Sequence, residues 1–193
     1  MTKIFIADVS CIDIEAFLGK VSPARREKTL RLSKDDDKRR SLGAEMLLIK
    51  AAGRDDYVLS KNEKPYFPDN EVFFSLAHCG DYAACAVSDV PVGVDIELPR
   101  AGGSCLAKRF FRRDEAALVY AADDPDREFC RLWTLKESYI KCADLRLGDI
   151  RSFSVVSCAE GCMFLNKAYG EYLIGCCAKT QDIGDVIVIS EKL

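Results

Sequence analysis

Twice along the chain the apolar residues change period, from the 3.6-residue repeat of helices to the two-residue repeat of strands, without returning to helix inside either strand run. After a first strand-like segment at residues 3–9, residues 22–52 read as helix with a break near Ser33. Ser22 before Pro23 is an N-cap followed by a first-turn proline, Ser33 with Asp36 resembles a capping box that restarts the helix, and Gly53 is a C-terminal stop. A polar loop at residues 60–70 leads to strands at 72–76, 82–88 and 92–96. The order then recurs, with helices at 113–122 and 127–143 and strands at 153–157, 163–166, 172–178 and 186–190. This predicts an α+β chain of two similar halves, residues 1–98 and 99–193, joined near 98–103, with strands pairing antiparallel rather than in a doubly wound parallel sheet. With 193 residues and 49% hydrophobic content, such a chain can bury its own core.

Composition excludes several classes. The 10 cysteines suggest disulfides at first sight, but residues 1–9 alternate like a strand and do not read as a secretory leader, so the thiols are expected reduced and the compartment cytoplasmic. Cys158 with Cys162, adjacent Cys176 and Cys177, and the only histidine, His78, beside Cys79 lack zinc-site spacing. No apolar run approaches the roughly 20 residues of a membrane helix. A net charge of -3 argues against a nucleic-acid binder, although basic residues cluster in the first part of the chain.

Two segments carry chemistry. In Gly93-Val94-Asp95-Ile96-Glu97, the strand period puts Asp95 and Glu97 on one face while Val94 and Ile96 face the core. Like charges so close call for a positive partner, and a hard cation such as Mg2+, which takes a few carboxylates plus water and phosphate, meets that need; a solvated strand end is the plainer alternative. In the helix after Asp124-Pro125, Leu132, Leu135, Tyr139 and Cys142 form an apolar stripe, while Trp133, Glu137 and Lys141 line up at spacings of four on another face. The alternative here is a surface Glu-to-Lys pair, although the chain's only tryptophan makes this face less ordinary.

Together these segments resemble the surfactin-synthetase type of 4′-phosphopantetheinyl transferase, whose hallmarks are a G-[IV]-D-x-E strand and, about forty residues on, a W-[ST]-x-K-E-[SA]-x-x-K helix. Here they stand as residues 93–97 and as Trp133-Thr134-Leu135-Lys136-Glu137-Ser138-Tyr139-Ile140-Lys141. Lys64-Pro65, Phe74-Ser75-Leu76-Ala77-His78-Cys79-Gly80 and Arg109-Phe110-Phe111 with Glu115 are similar to further family segments, and the match thins after Leu147. Two departures stand out. Ala77 replaces the serine before the histidine, and Cys142-Ala143-Asp144-Leu145-Arg146-Leu147 replaces a glycine-containing turn after Lys141.

The resemblance implies two α+β halves related by a pseudo-twofold axis, with coenzyme A in the cleft between them. It implies that Asp95, Glu97 and Glu137 hold Mg2+ and that Lys141 contacts the diphosphate. Lys64 would lie near the adenine, His78 and Arg40 at the 3′-phosphate, and Arg25 and Lys28 around the phosphates. Without the resemblance, the run from Arg25 to Arg40 reads as a solvated basic helix face and His78 as a structural histidine. The implied reaction moves phosphopantetheine from coenzyme A to a serine of an apo acyl, peptidyl or polyketide carrier protein, releasing 3′,5′-ADP, with Glu137 or a metal-bound water accepting the proton. Arg109, Arg112 and Arg113 are candidate contacts for an acidic carrier, and an internally duplicated cleft points to a monomer. A non-enzymatic coenzyme A-binding or carrier-binding relative is the competing reading; three metal-facing carboxylates argue against it.

Overall fold

In a computed structural model of the protein, residues 1–157, 161–180, 187–191 and 193 are described; Cys158 and Val186 of the motifs above lie outside them. The elements run β1 (Lys3–Asp8), α1 (Ile14–Leu18), α2 (Pro23–Leu30), α3 (Asp35–Ala52), β2 (Val58–Leu59), β3 (Pro65–Tyr66), β4 (Phe73–Cys79), β5 (Tyr82–Ser88) and β6 (Val92–Glu97). Then follow α4 (Ala107–Phe110), α5 (Arg113–Ala121), α6 (Pro125–Ala143), β7 (Met163–Tyr169), β8 (Tyr172–Ala178) and β9 (Ile187–Glu191). No helix among the described residues is long and apolar enough to cross a membrane.

Seven strands build a four-stranded sheet in the order β4-β5-β1-β9 and a three-stranded sheet in the order β6-β8-β7, and β2 and β3 pair as a separate two-stranded ribbon. Pairing is antiparallel, as expected, except between β1 and β9, which run parallel. A parallel neighbour requires a long crossover. The sheets face each other across a shared core in which Ile4, Ile6, Ala84 and Ala86 meet Val94, Ile96, Ile174 and Cys176. α3 covers the outer face of the larger sheet, with Leu42, Leu47 and Leu48 packed on Phe74, Ala83 and Cys85. On the smaller sheet α6 plays the same part, backed by α4 and α5 through Phe111, Val119, Phe129 and Leu132.

Three local expectations change. The helix of residues 22–52 does break, but the restart is not a capping box: α3 begins at Asp35, Lys34 provides no side-chain cap, and Asp36 pairs instead with Arg39 at 2.9 Å. Residues 153–157 are not a strand, because their backbone N–H groups go to side chains. Val155 donates to Glu115 Oε1 at 2.9 Å and Val156 to Ser154 Oγ at 3.2 Å. α6 has no single apolar stripe; Phe129, Cys130, Leu132, Thr134, Leu135, Lys136, Ser138, Ile140 and Cys142 are all buried, since α5 and residues 150–155 cover the side away from the sheet. Lys136 is held within that cover by Glu115 Oε1 and Oε2 and by the Phe153 carbonyl, each at 2.8 Å, which supplies the pairing a buried ammonium needs.

Candidate active site

The site is organised where α6 crosses β6. Gly93, Asp95 and Glu97 share the face toward α6, while Val94 and Ile96 are buried between the sheets. A Cβ at Gly93 would stand 1.9 Å from the Ser138 carbonyl oxygen and 2.6 Å from the Cys142 nitrogen, so only glycine lets the helix backbone lie this close. That closeness brings Lys141 over the strand, where its Nζ donates to Asp95 Oδ1 at 2.7 Å and to the Val94 carbonyl at 3.0 Å. At the same residue, Val94 N–H donates to Ser75 Oγ at 3.1 Å, tying the strand to β4 of the other sheet.

Asp95 is 7% exposed, and its second oxygen, Oδ2, is buried with no hydrogen-bond partner among the described residues. A buried carboxylate oxygen left bare is costly. Burial raises the Asp95 carboxyl above the usual carboxylate range, with Lys141 opposing. Burial and then the charge of Asp95 raise Glu97, and the same two causes raise Glu137. The three carboxylates therefore feel one another's charge. Glu97 accepts from Cys79 Sγ at 3.3 Å. Among the described residues no three His, Cys, Asp or Glu side chains form a ready-made metal cage. The donor set still fits Mg2+, which binds through one or two carboxylates plus substrate phosphates rather than through an all-protein cage, and the bare Asp95 Oδ2 is a vacant hard-oxygen donor.

A cavity of about 420 Å3 opens beside Asp95. Arg25 and Lys28 line it from α2, Lys64 from the loop before β3, His78 from β4, and Lys141 from α6. Glu45, fully buried on α3, fixes the α2 wall by accepting from Ser22 N–H at 2.8 Å, Arg25 Nε at 2.6 Å and Tyr57 OH at 2.8 Å. The α2 N-cap forms as read, with Ser22 accepting from Arg25 N–H and Pro23 in the first turn. Burial lowers Lys28, with Arg25 adding to it; burial lowers Lys64; burial, then Lys141 and Arg40, lower His78. The lysines are crowded and desolvated and His78 is held neutral, so the cavity as it stands favours an anion. Arg40 does not line the cavity: Asp37 pairs with its guanidinium, which also donates to the Gly80 carbonyl at 2.9 Å.

A second cavity, of about 360 Å3, lies on the Glu97 side, lined by Leu106, Phe129, Cys130 and Trp133 as well as Glu97 and Arg100. Trp133 is half-buried, stacked on Phe129 with ring centroids 5.8 Å apart and edge-on to Phe110 at 5.3 Å. The β6 carboxylates thus stand between a basic hollow and a largely apolar one. Glu137 lines neither, and its tie to the pair is electrostatic. Arg109, Arg112 and Arg113 are exposed and line neither cavity. Sequence reasoning missed Glu45 and Ser75, whose importance lies in partners distant along the chain and leaves no local signal.

Residues 91–175 match a family model described as the 4′-phosphopantetheinyl transferase superfamily. The chain is 32% identical to a 4′-phosphopantetheinyl transferase of Bacillus subtilis, over 90% of this chain and 88% of that protein. It is 33% identical to the 4′-phosphopantetheinyl transferase Sfp of Bacillus subtilis (strain 168), over 73% of this chain and 68% of the relative. Against the 4′-phosphopantetheinyl transferase gsp of Aneurinibacillus migulanus the identity is 33%, over 64% and 56% of the two chains.

Proposed function

The chain belongs to the 4′-phosphopantetheinyl transferase superfamily, and from that premise we propose that it transfers the phosphopantetheine arm of coenzyme A to a serine hydroxyl of an apo carrier protein of the acyl, peptidyl or polyketide class. The observation that carries the reading is the bare, buried Asp95 Oδ2 beside a cavity walled by Arg25, Lys28, Lys64, His78 and Lys141. Coenzyme A presents a diphosphate and a 3′-phosphate, and that wall has the charge to receive them.

In this reading Lys28, Arg25 and His78 receive the phosphates, Arg40 adds its field at the 3′-phosphate, and Lys64 lies near the adenine. Lys141, already drawn to Asp95, turns its remaining ammonium hydrogen toward the diphosphate. Asp95, Glu97 and Glu137 are the residues that would hold Mg2+. Bound there, the ion would neutralise charge on the diphosphate as the bridging bond breaks. The carrier serine oxygen attacks the β-phosphorus in line with the departing oxygen, the bond to the α-phosphate oxygen breaks, and 3′,5′-ADP leaves. Glu137 accepts the serine proton. The apolar cavity beside Glu97 offers room for the pantetheine arm, and Arg109, Arg112 and Arg113 face the approach of an acidic carrier. The same reading takes residues 1–98 and 99–193 as halves related by a pseudo-twofold axis that exchange strands, β6 pairing with β8 and β9 with β1, with the chain a cytoplasmic monomer.

The test mixes the protein with coenzyme A, MgCl2 and an apo carrier domain and weighs the carrier. A gain of one phosphopantetheine mass is expected, lost on addition of EDTA and lost in Asp95→Ala and Glu137→Ala variants that keep the wild-type circular dichroism. An unmodified carrier would overturn the reaction, and normal turnover in either variant would overturn the site.

A further inference from the structure

The basic cavity is closed on one side by two segments far apart in the chain, the loop at residues 62–65 and the end of α6 at residues 144–145. Three polar contacts fasten them together. Ser60 Oγ donates to Asp144 Oδ1 at 2.8 Å, Asn62 Nδ2 donates to the Asp144 carbonyl at 2.5 Å, and Arg146 Nε donates to Asn62 Oδ1 at 2.9 Å. Asp144 also ends α6, in the left-handed region at φ 52, ψ 46. Such a stop usually favours glycine, and aspartate tolerates it better than most other side chains.

With its hydrogen committed to Asp144, the Ser60 hydroxyl accepts from the backbone N–H groups of Asn62 at 3.1 Å and Lys64 at 3.2 Å. The turn it organises is tight: Ser60 N–H donates to the Lys64 carbonyl at 2.8 Å, and Glu63 is held at φ 64, a strained value for a residue with a Cβ. Lys64 is the residue this turn delivers to the cavity. Its ammonium is desolvated there, with Asp144 among the charges that support it. A strained turn persists only where its surroundings over-determine it, and Asp144 and Arg146 are the parts of those surroundings that come from a distant segment of the chain.

We propose that Asp144, with Ser60, Asn62 and Arg146, is a latch that positions Lys64 and sets the affinity of the cavity for the nucleotide end of coenzyme A. Asp144 is a positioning residue, acting through the Ser60 hydroxyl and the Lys64 turn. The proposal rests on the transfer reaction described above, and its expected signature is a split between binding and turnover.

Asp144→Gly keeps a residue suited to the left-handed stop and removes the carboxylate; Asp144→Asn keeps an acceptor for Ser60; Ser60→Ala removes the hydroxyl from the other side. For Asp144→Gly and Ser60→Ala, KM for coenzyme A, and Kd for coenzyme A by titration calorimetry, are expected to rise about tenfold, the loss of one charge-assisted hydrogen bond. kcat at saturating coenzyme A and KM for the carrier should change by less than about twofold. Asp144→Asn, which keeps the acceptor but not the charge, should recover part of the coenzyme A affinity lost in Asp144→Gly, and Ser60→Ala added to Asp144→Gly should cost little more than either alone. Unchanged coenzyme A affinity in Asp144→Gly, or a fall in kcat with KM preserved, would overturn the latch while leaving the reaction standing. Wild-type protein that neither binds coenzyme A nor modifies the carrier would overturn both.

Discussion

Asp95, Glu97 and Glu137 hold their protons more tightly than free carboxylates because they are desolvated and near one another. A carboxyl whose pKa is raised by folding binds more protons in the native than in the unfolded state, between its unfolded value near about 4.3 for glutamate and its higher native one. The slope of stability against pH is then negative, so the native state loses stability as pH rises through that window. Glu137→Gln removes one charge from the cluster. In EDTA the melting temperature of the variant relative to wild type should rise as pH rises through that window, and the variant should be the more stable at pH 7.5. For a chain of this size each kcal/mol of relieved repulsion raises the melting temperature by about 2–4 °C. Added MgCl2 should raise the wild-type value and raise the variant's less, since a ligand stabilises the state that binds it. A variant less stable than wild type at pH 7.5 would show that Glu137 is not under electrostatic strain. At this scale much was legible in the sequence. The two-residue spacing of Asp95 and Glu97 and the four-residue spacing of Glu137 and Lys141 are visible in the sequence, whereas the ion pair between Lys141 and Asp95, 46 residues apart, is not.

Elements make these residues meet, and the α6 to β6 crossing is the decisive one. Gly93 was legible as part of a motif, but the reason for glycine there appears only in the packing, where the helix backbone occupies the space of a side chain. Gly175 on β8 repeats the device, with a Cβ there standing 2.5 Å from the Thr134 carbonyl oxygen. Both close contacts are to backbone, which cannot swing aside as a side chain does. Gly93→Ala should therefore destabilise the protein by about 1–3 kcal/mol or more in urea denaturation, and should lower transfer by displacing Lys141 from Asp95. Gly148→Ala, where a Cβ meets nothing within 4 Å among the described residues, is the control and should be nearly neutral. Equal stability of the two variants would mean that α6 is free to lift from the sheet. The helix's own burial was read less well than its spacing. A stripe at the helical period is visible in a sequence, but the cover laid over the opposite side by α5 and residues 150–155 depends on Glu115 reaching both Lys136 and Val155, a three-way contact with no local pattern.

Across the whole molecule, the helix-then-strand order predicted the inventory of elements far better than their partners. Residue 98 looks like a seam in sequence, yet β6, before it, pairs with β8, after it, and β9 at the far end lies beside β1 at the start. Period and turn signals are local, whereas pairing at such separations is decided by which faces can be buried together. The consequence is mechanical. The core between the sheets draws Ile4 and Ile6 from one end of the chain and Ile174 and Cys176 from near the other, so neither sheet keeps a covered inner face without its neighbour. Unfolding should then be one cooperative event. Trp133, the only tryptophan, sits in the cluster of α4, α5 and α6, remote from β1 and β5, and so reports on one side of the molecule while far-UV circular dichroism reports on all of it. The urea transitions followed by Trp133 fluorescence and by circular dichroism should coincide in midpoint and slope. A fluorescence midpoint lower by more than about 0.5 M, outside the uncertainty of a two-state fit, would show that the α6 side opens separately. The crossing of Lys141 over Asp95 would then be a contact that forms and breaks independently of the larger sheet.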